Sequence, residues 1–175
     1  MADKRETRQK DTTRDSTFVD HVVSVRRVTK VTRGGKRFSF SAFVVTGDKQ
    51  GRIGVASGKG REVSQAIAKA TNRARKNLIT VALRGATVPY DVVGRHGASR
   101  VVLRPASKGT GNIAGGAVRS VLDAVGIEDA LTKSIGSSNG QNVVKATLNA
   151  MAQLRPATRI AHLRGMSVKE IVKGS

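Results

Sequence analysis

An α+β fold in two small lobes is what this 175-residue sequence predicts, and three observations carry that reading. The first is a succession of Val- and Thr-rich runs broken by Gly-rich turns and then by amphipathic helical stretches, which is the pattern of mixed sheet and helix. The second is the core it can build. Hydrophobic residues make up 38% of the chain, with four Phe, one Tyr and no Trp, so the interior must be packed from Val, Ile, Leu and Ala. The third is charge: 32 Lys and Arg face 12 Asp and Glu, a net +20 with a pI near 11.6. Residues 1–20 are balanced, residues 21–85 hold 15 bases and two acids, and residues 86–175 hold 12 bases and five acids. That step in charge divides the chain into a polar tail (1–17), a strongly basic unit (18–85) and a second unit (86–175).

The elements follow in order. The tail lacks apolar periodicity and is expected to be disordered. Val22 to Thr32 and Arg37 to Thr46 are expected as strands, joined by a turn at Arg33-Gly34-Gly35-Lys36, where Gly-Gly supplies positive φ angles. Gly47 to Gly51 forms a second turn and Arg52 to Ala56 a third strand. A helix from Glu62 to about Ala82 carries Val63, Ile67, Ala70, Ala74 and Leu78 on one face, and Lys69, Arg73 and Lys76 on another. In the second unit, Val88 to Val93 and Arg100 to Leu103 read as strands around a Gly-His-Gly loop. A Gly-rich loop spans 107–116. A helix from Ala117 to Val125 buries Val118, Val121, Leu122 and Val125, and a strand lies within Ile127 to Ile135. Ser137 to Gly140 breaks the chain and caps a helix to about Leu154, which Pro156 ends. A short helical piece lies near Ser167 to Val172.

Several function classes are excluded or weakened by residue type. With no cysteine there is neither a disulfide nor a thiolate metal site. There is no apolar run of the roughly 20 residues a spanning helix needs, and no secretory h-region at the N-terminus; a cytosolic location is expected. His21, His96 and His162 are far apart with no evident relay, so no catalytic residue, metal or cofactor is expected. Such an excess of positive charge repels itself unless a polyanion neutralises it, and nucleic acid is the usual one.

Three motifs stand out against this background. Phe38, Phe40 and Phe43 have the F-x-F-x-x-F spacing of a base-stacking aromatic box. Arg37, Ser39 and Ser41 break its pattern, however, and the rings are expected in the core. Gly109-Thr110-Gly111-Asn112-Ile113-Ala114 fits G-x-G-x-x-A, with Glu128 and Asp129 about 20 residues on, as in dinucleotide sites. The intervening Pro105 to Lys108 separates strand from glycines, which weakens that reading. Gly54 to Lys59 is one residue short of a P-loop, and Gly60 stands where a hydroxyl is needed.

Four runs taken together point further: Arg33-Gly34-Gly35-Lys36-Arg37-Phe38-Ser39-Phe40, Gly58-Lys59-Gly60-Arg61-Glu62-Val63, Arg104-Pro105-Ala106-Ser107-Lys108-Gly109-Thr110-Gly111 and Ala114-Gly115-Gly116-Ala117-Val118-Arg119. In order and spacing they resemble the bacterial small-subunit ribosomal protein five family, over about residues 18–172. The resemblance implies an N-terminal lobe like the double-stranded-RNA-binding fold without its first helix, a three-stranded sheet plus one helix. It implies a C-terminal α/β lobe with a left-handed crossover. The implied partners are small-subunit ribosomal RNA, small-subunit ribosomal proteins four and eight, and messenger RNA near its path into the ribosome. The hairpin Val28 to Phe38 matches the family loop near the head-body hinge where spectinomycin-resistance changes fall. Gly109 to Arg119 matches the contact with protein four, where changes loosen decoding accuracy.

The expected RNA-binding set is Arg26, Arg27, Thr29, Lys30, Arg33, Gly34, Gly35, Lys36, Arg37, Lys59, Arg61, Lys69, Arg73 and Lys76. The expected protein-interface set is Lys108, Gly109, Thr110, Gly111 and Arg119.

Overall fold

A computed structural model describes residues 18–173. The tail expected to be disordered, residues 1–17, lies outside the described residues. In the first lobe β1 (Val19–Thr32), β2 (Gly35–Gly47), β3 (Arg52–Gly60) and β4 (Leu78–Thr80) form one antiparallel sheet in that order. The helix α1 (Val63–Lys76) packs on one face. The sheet thus has four strands, one more than expected, because the helical run stops at Lys76 instead of reaching Ala82. Arg73, Arg75 and Lys76 crowd the last turn, where cations suit the helix dipole, and the Asn77 N–H caps Ala74 O. The β-branched Ile79 and Thr80 then pair with β3.

The helix buries Ala66, Ala70 and Ala74, while Val63 stays exposed and Ile67 is half-buried. The reason lies in β3. Gly54, Gly58 and Gly60 share its helix-facing side, and a Cβ on any of them would meet α1 backbone: Ala74 O for Gly54, Ala66 O for Gly58, Ala66 N for Gly60. Small residues on both layers let the helix lie directly on the strand. The P-loop-like Gly54 to Lys59 is therefore part of a strand, not a phosphate loop.

In the second lobe β5 (Val92–His96), β6 (Ser99–Pro105), β7 (Asn112–Ile113) and β8 (Ala130–Gly136) are ordered β5-β6-β8-β7, with β7 parallel to β8 and the other pairs antiparallel. The helices α2 (Gly116–Val125) and α3 (Gly140–Gln153) cover one face, and α4 (Ala157–Arg164) and α5 (Val168–Lys173) follow. The strand expected from Val88 begins at Val92, since Pro89 offers no N–H to a ladder, although Val88 itself is buried. Gly94, Arg95 and His96 lie in β5, and the hairpin turns at Gly97, whose φ is +55°. The Gly-rich loop contains the unforeseen β7. Pro156, besides ending α3, occupies the cap position of α4. Asn139 caps α3 by accepting from the Gln141 N–H. Ser167 and Glu170 cap α5 reciprocally, the pattern of a capping box.

The two lobes share one core. Phe43, Val45 and Ile53 on the helix-free face of the first sheet pack with Val121, Leu122 and Val125 of α2 and with Val143 and Val144 of α3. The seam is closed by backbone hydrogen bonds. The turn between β2 and β3 donates Lys49 N–H to Ala124 O (3.0 Å) and Gly51 N–H to Val125 O (2.9 Å). A helix ends with carbonyls that lack intrahelical partners, and here the other lobe supplies them. The turn is held by Asp48, which accepts from Gln50 N (2.8 Å) and Arg52 N (3.0 Å) and pairs with Arg52 Nε at 2.5 Å.

Burial opposes the charge of Asp48, but the Arg52 guanidinium and the two backbone donors outweigh it and hold the carboxyl below its ordinary value of 3.8. A carboxyl harder to protonate folded than unfolded adds stability above about pH 4, which is lost as pH falls through the folded value. Asp48→Asn is therefore expected to lower the thermal midpoint at neutral pH and to flatten its fall below about pH 4. Acid limbs of equal steepness in the two proteins would count against this.

Candidate nucleic-acid interface

The longest strand pair among the described residues is the β1–β2 hairpin. Its ladder runs from Val19↔Gly47 to Thr32↔Gly35, whereas β3 accompanies β2 only as far as Phe40↔Gly60. Beyond that point, residues 28–39 form a two-stranded ribbon. The tip is a two-residue loop, Arg33-Gly34, and of the two glycines Gly35 alone takes a positive φ, +123°. Arg26, Arg27, Thr29, Lys30, Arg33, Gly34, Gly35, Lys36 and Arg37 are all exposed. Between Asp20 and Asp48 there is no acid.

The face of the ribbon away from α1 is concave. Val28, Thr29, Lys30, Arg37, Ser39, Lys59, Gly60 and Arg61 line an open hollow of about 490 Å³. Its four cations come from β1, from β2 and from the end of β3, and no carboxylate enters it. Cations converging without an acid attract a ligand carrying several negative charges. Lys69, Arg73 and Lys76 are exposed as expected, but on α1 in the other layer. There Arg73 Nη1 donates to Ser57 O (3.3 Å). They form a second basic surface and do not join the hollow.

The second predicted site is a loop tied from inside. Asp129, 5% exposed, accepts from Gly109 N (3.0 Å) and Gly111 N (2.8 Å) through Oδ1. Thr110 Oγ1 donates to Ser107 O (2.7 Å), and Arg119 Nη2 donates to Asn112 O (2.9 Å). Asn112 Nδ2 in turn donates to Asp123 Oδ1 and Ile127 O. Lys108, Gly109, Thr110 and Arg119 remain exposed on a fixed frame, with Gly111 half-buried. The dinucleotide reading fails here. A pyrophosphate needs the glycine N–H groups, but these are spent on Asp129, and β7 stands between the glycines and α2.

Comparison with known proteins decides the family. A family model described as ribosomal protein S5, N-terminal domain, matches residues 18–82, and one described as ribosomal protein S5, C-terminal domain, matches residues 94–164. The chain belongs to the ribosomal protein S5 family. The small ribosomal subunit protein uS5 of Flavobacterium psychrophilum is 56% identical over 155 residues, 89% of each chain. That of Syntrophobacter fumaroxidans is 54% identical over 88% of this chain and 93% of its own. The uS5 of Salinibacter ruber is 46% identical over 99% of this chain and all of its own.

Two features of this S5-family chain escaped the sequence reading. Phe38 was expected in the core with Phe40 and Phe43; Phe43 is buried and Phe40 half-buried, but Phe38 is 51% exposed. The outer face of the second sheet carries Val93, Arg95, Arg100, Leu131, Lys133 and Ile135, all open to solvent. Along β5 and β6 these positions alternate with the buried Val92, Val101 and Leu103. Among the described residues there is no group of three metal-ligand side chains, and no helix is long and apolar enough to cross a membrane.

Proposed function

We propose that this chain is a non-catalytic structural component of the small ribosomal subunit that grips small-subunit ribosomal RNA through the β1–β2 hairpin. The observation that carries the reading is the hollow of Lys30, Arg37, Lys59 and Arg61, cations gathered from three strands without an acid among them. Neutralising phosphates there releases counterions and stabilises RNA helices that would otherwise repel. In this reading residues 18–85 are the RNA-facing unit near the head-body hinge, and residues 86–175 face protein. Lys108 to Gly111 and Arg119 meet small-subunit protein four, where their rigid frame supports decoding accuracy. Small-subunit protein eight and messenger RNA near its path into the ribosome are further neighbours, and the protein works on cytoplasmic ribosomes.

The test is a sucrose gradient of cell lysate in low magnesium, which splits the subunits, and moderately high salt, which strips loose binders. The chain is expected to sediment sharply with the small subunit. A peak at the top of the gradient would overturn the proposal in favour of a free RNA-binding regulator.

A further inference from the structure

One aromatic ring on the hairpin has no role in the hollow. Phe38 lies on the opposite face of the ribbon, in line with Phe40, Ala42 and Val44. Where β3 and α1 cover that face, Ala42 and Val44 are fully buried. Phe38 lies past the last β2–β3 pair and stays half in water. The Arg27 guanidinium sits over the ring, 4.8 Å from its centroid. Val31, 70% exposed, neighbours it diagonally across the β1–β2 ladder. A large ring left half in water forgoes the burial that Ala42 and Val44 obtain on the same strand face.

We propose that Phe38, braced by Arg27, is a stacking platform for an unpaired RNA base. Arg27 and Lys36 share the ring's face of the ribbon, Lys30 and Arg37 line the other, and no acid lies between Asp20 and Asp48. A protein partner would have to match that field with many carboxylates; single-stranded RNA brings phosphates for the cations and a flat apolar base for the ring. A paired base has both faces taken by its neighbours in the helix, so the platform selects unpaired nucleotides, and stacking makes it tolerant of which base arrives. With Arg27 over it, the ring is still 51% exposed. The hairpin is then two-sided: one face reads backbone charge, the other captures a splayed base.

The proposal rests on the RNA-binding reading above, and the test separates the two. Full-length chain is titrated by fluorescence anisotropy against a 12-nucleotide oligo(A) and against an RNA duplex of equal length, at one salt concentration. Phe38→Leu, which keeps an apolar side chain but no ring, is expected to weaken oligo(A) binding about fivefold to a hundredfold. Phe38→Trp is expected to match or exceed the parent, and duplex affinity to stay within about twofold in both variants. Oligo(A) affinity unchanged in Phe38→Leu overturns the platform while leaving the RNA reading intact. Equal losses for oligo(A) and duplex, unrescued by Trp, overturn it in favour of a structural role for the ring. Failure of the parent chain to bind either RNA would sink the RNA reading itself.

Discussion

Gly58→Val is expected to lower the free energy of unfolding by about 3 kcal/mol, measured as a shift of the urea midpoint. The cause is geometric. A Cβ at Gly58 would run into Ala66 O and the backbone N of Ala70, and neither is the movable end of a side chain. The helix must lift from the strand, and the contacts of Ala66, Ala70 and Ala74 with β3 open together. Overpacking of this kind costs about 1–3 kcal/mol in a well-packed core, and a rigid helix backbone as the obstacle places it at the upper end. Gly34→Ala is the control: nothing lies within 4 Å of its Cβ position and its φ is not positive, so its midpoint is expected to stay unchanged. If Gly58→Val unfolded at the parent midpoint, the direct seating of α1 on β3 would be wrong.

Replacing Lys30, Arg37, Lys59 and Arg61 together by glutamine is expected to cut the salt dependence of RNA binding as much as the affinity. Each phosphate contact contributes about 0.7–0.9 to the slope of log K against log salt. Losing four should flatten the slope by about 3–4. The measurement is the affinity for a small-subunit ribosomal RNA fragment across a salt series. These side chains are exposed and lie outside the shared core, so the thermal midpoint should hold. The same number of glutamines at Lys69, Arg73, Lys76 and Arg95 tests whether position matters, since net charge changes equally. Slopes that fall equally in both variants would mean that charge alone binds and the hollow has no special part.

Much of the architecture was legible because the signals are local. Val-rich runs, the Gly47–Gly51 turn, the buried face of α2 and the Asn139 cap all depend on neighbours within a few residues. What escaped depends on distant partners. β7 is two residues long and exists because β8 lies parallel beside it. β4 sits inside a stretch whose apolar spacing also suits a helix, and β3 decides the matter by pairing with it. Phe38 shares a strand face with buried residues, and its exposure follows from where β3 and α1 happen to end. Asp129 lies at the separation from Gly109 that a ribose-binding acid has, but folding turns that spacing inward to hold the glycines. Composition indicated cations in quantity; strand register determined that Lys59 and Arg61 would meet Lys30 and Arg37.

The seam between the lobes bears on how the protein is made. Lys49 N–H waits for Ala124 O, which is synthesised 75 residues later. At roughly 5–20 residues per second the delay is several seconds. Throughout it Phe43, Val45 and Ile53 belong to a nascent lobe whose packing partners do not yet exist. The first lobe can assemble its strands and α1 early, but it cannot finish until α2 arrives. A basic segment exposing an apolar face during that interval is a natural client for chaperones, and long-range closure of this kind slows the final step of folding.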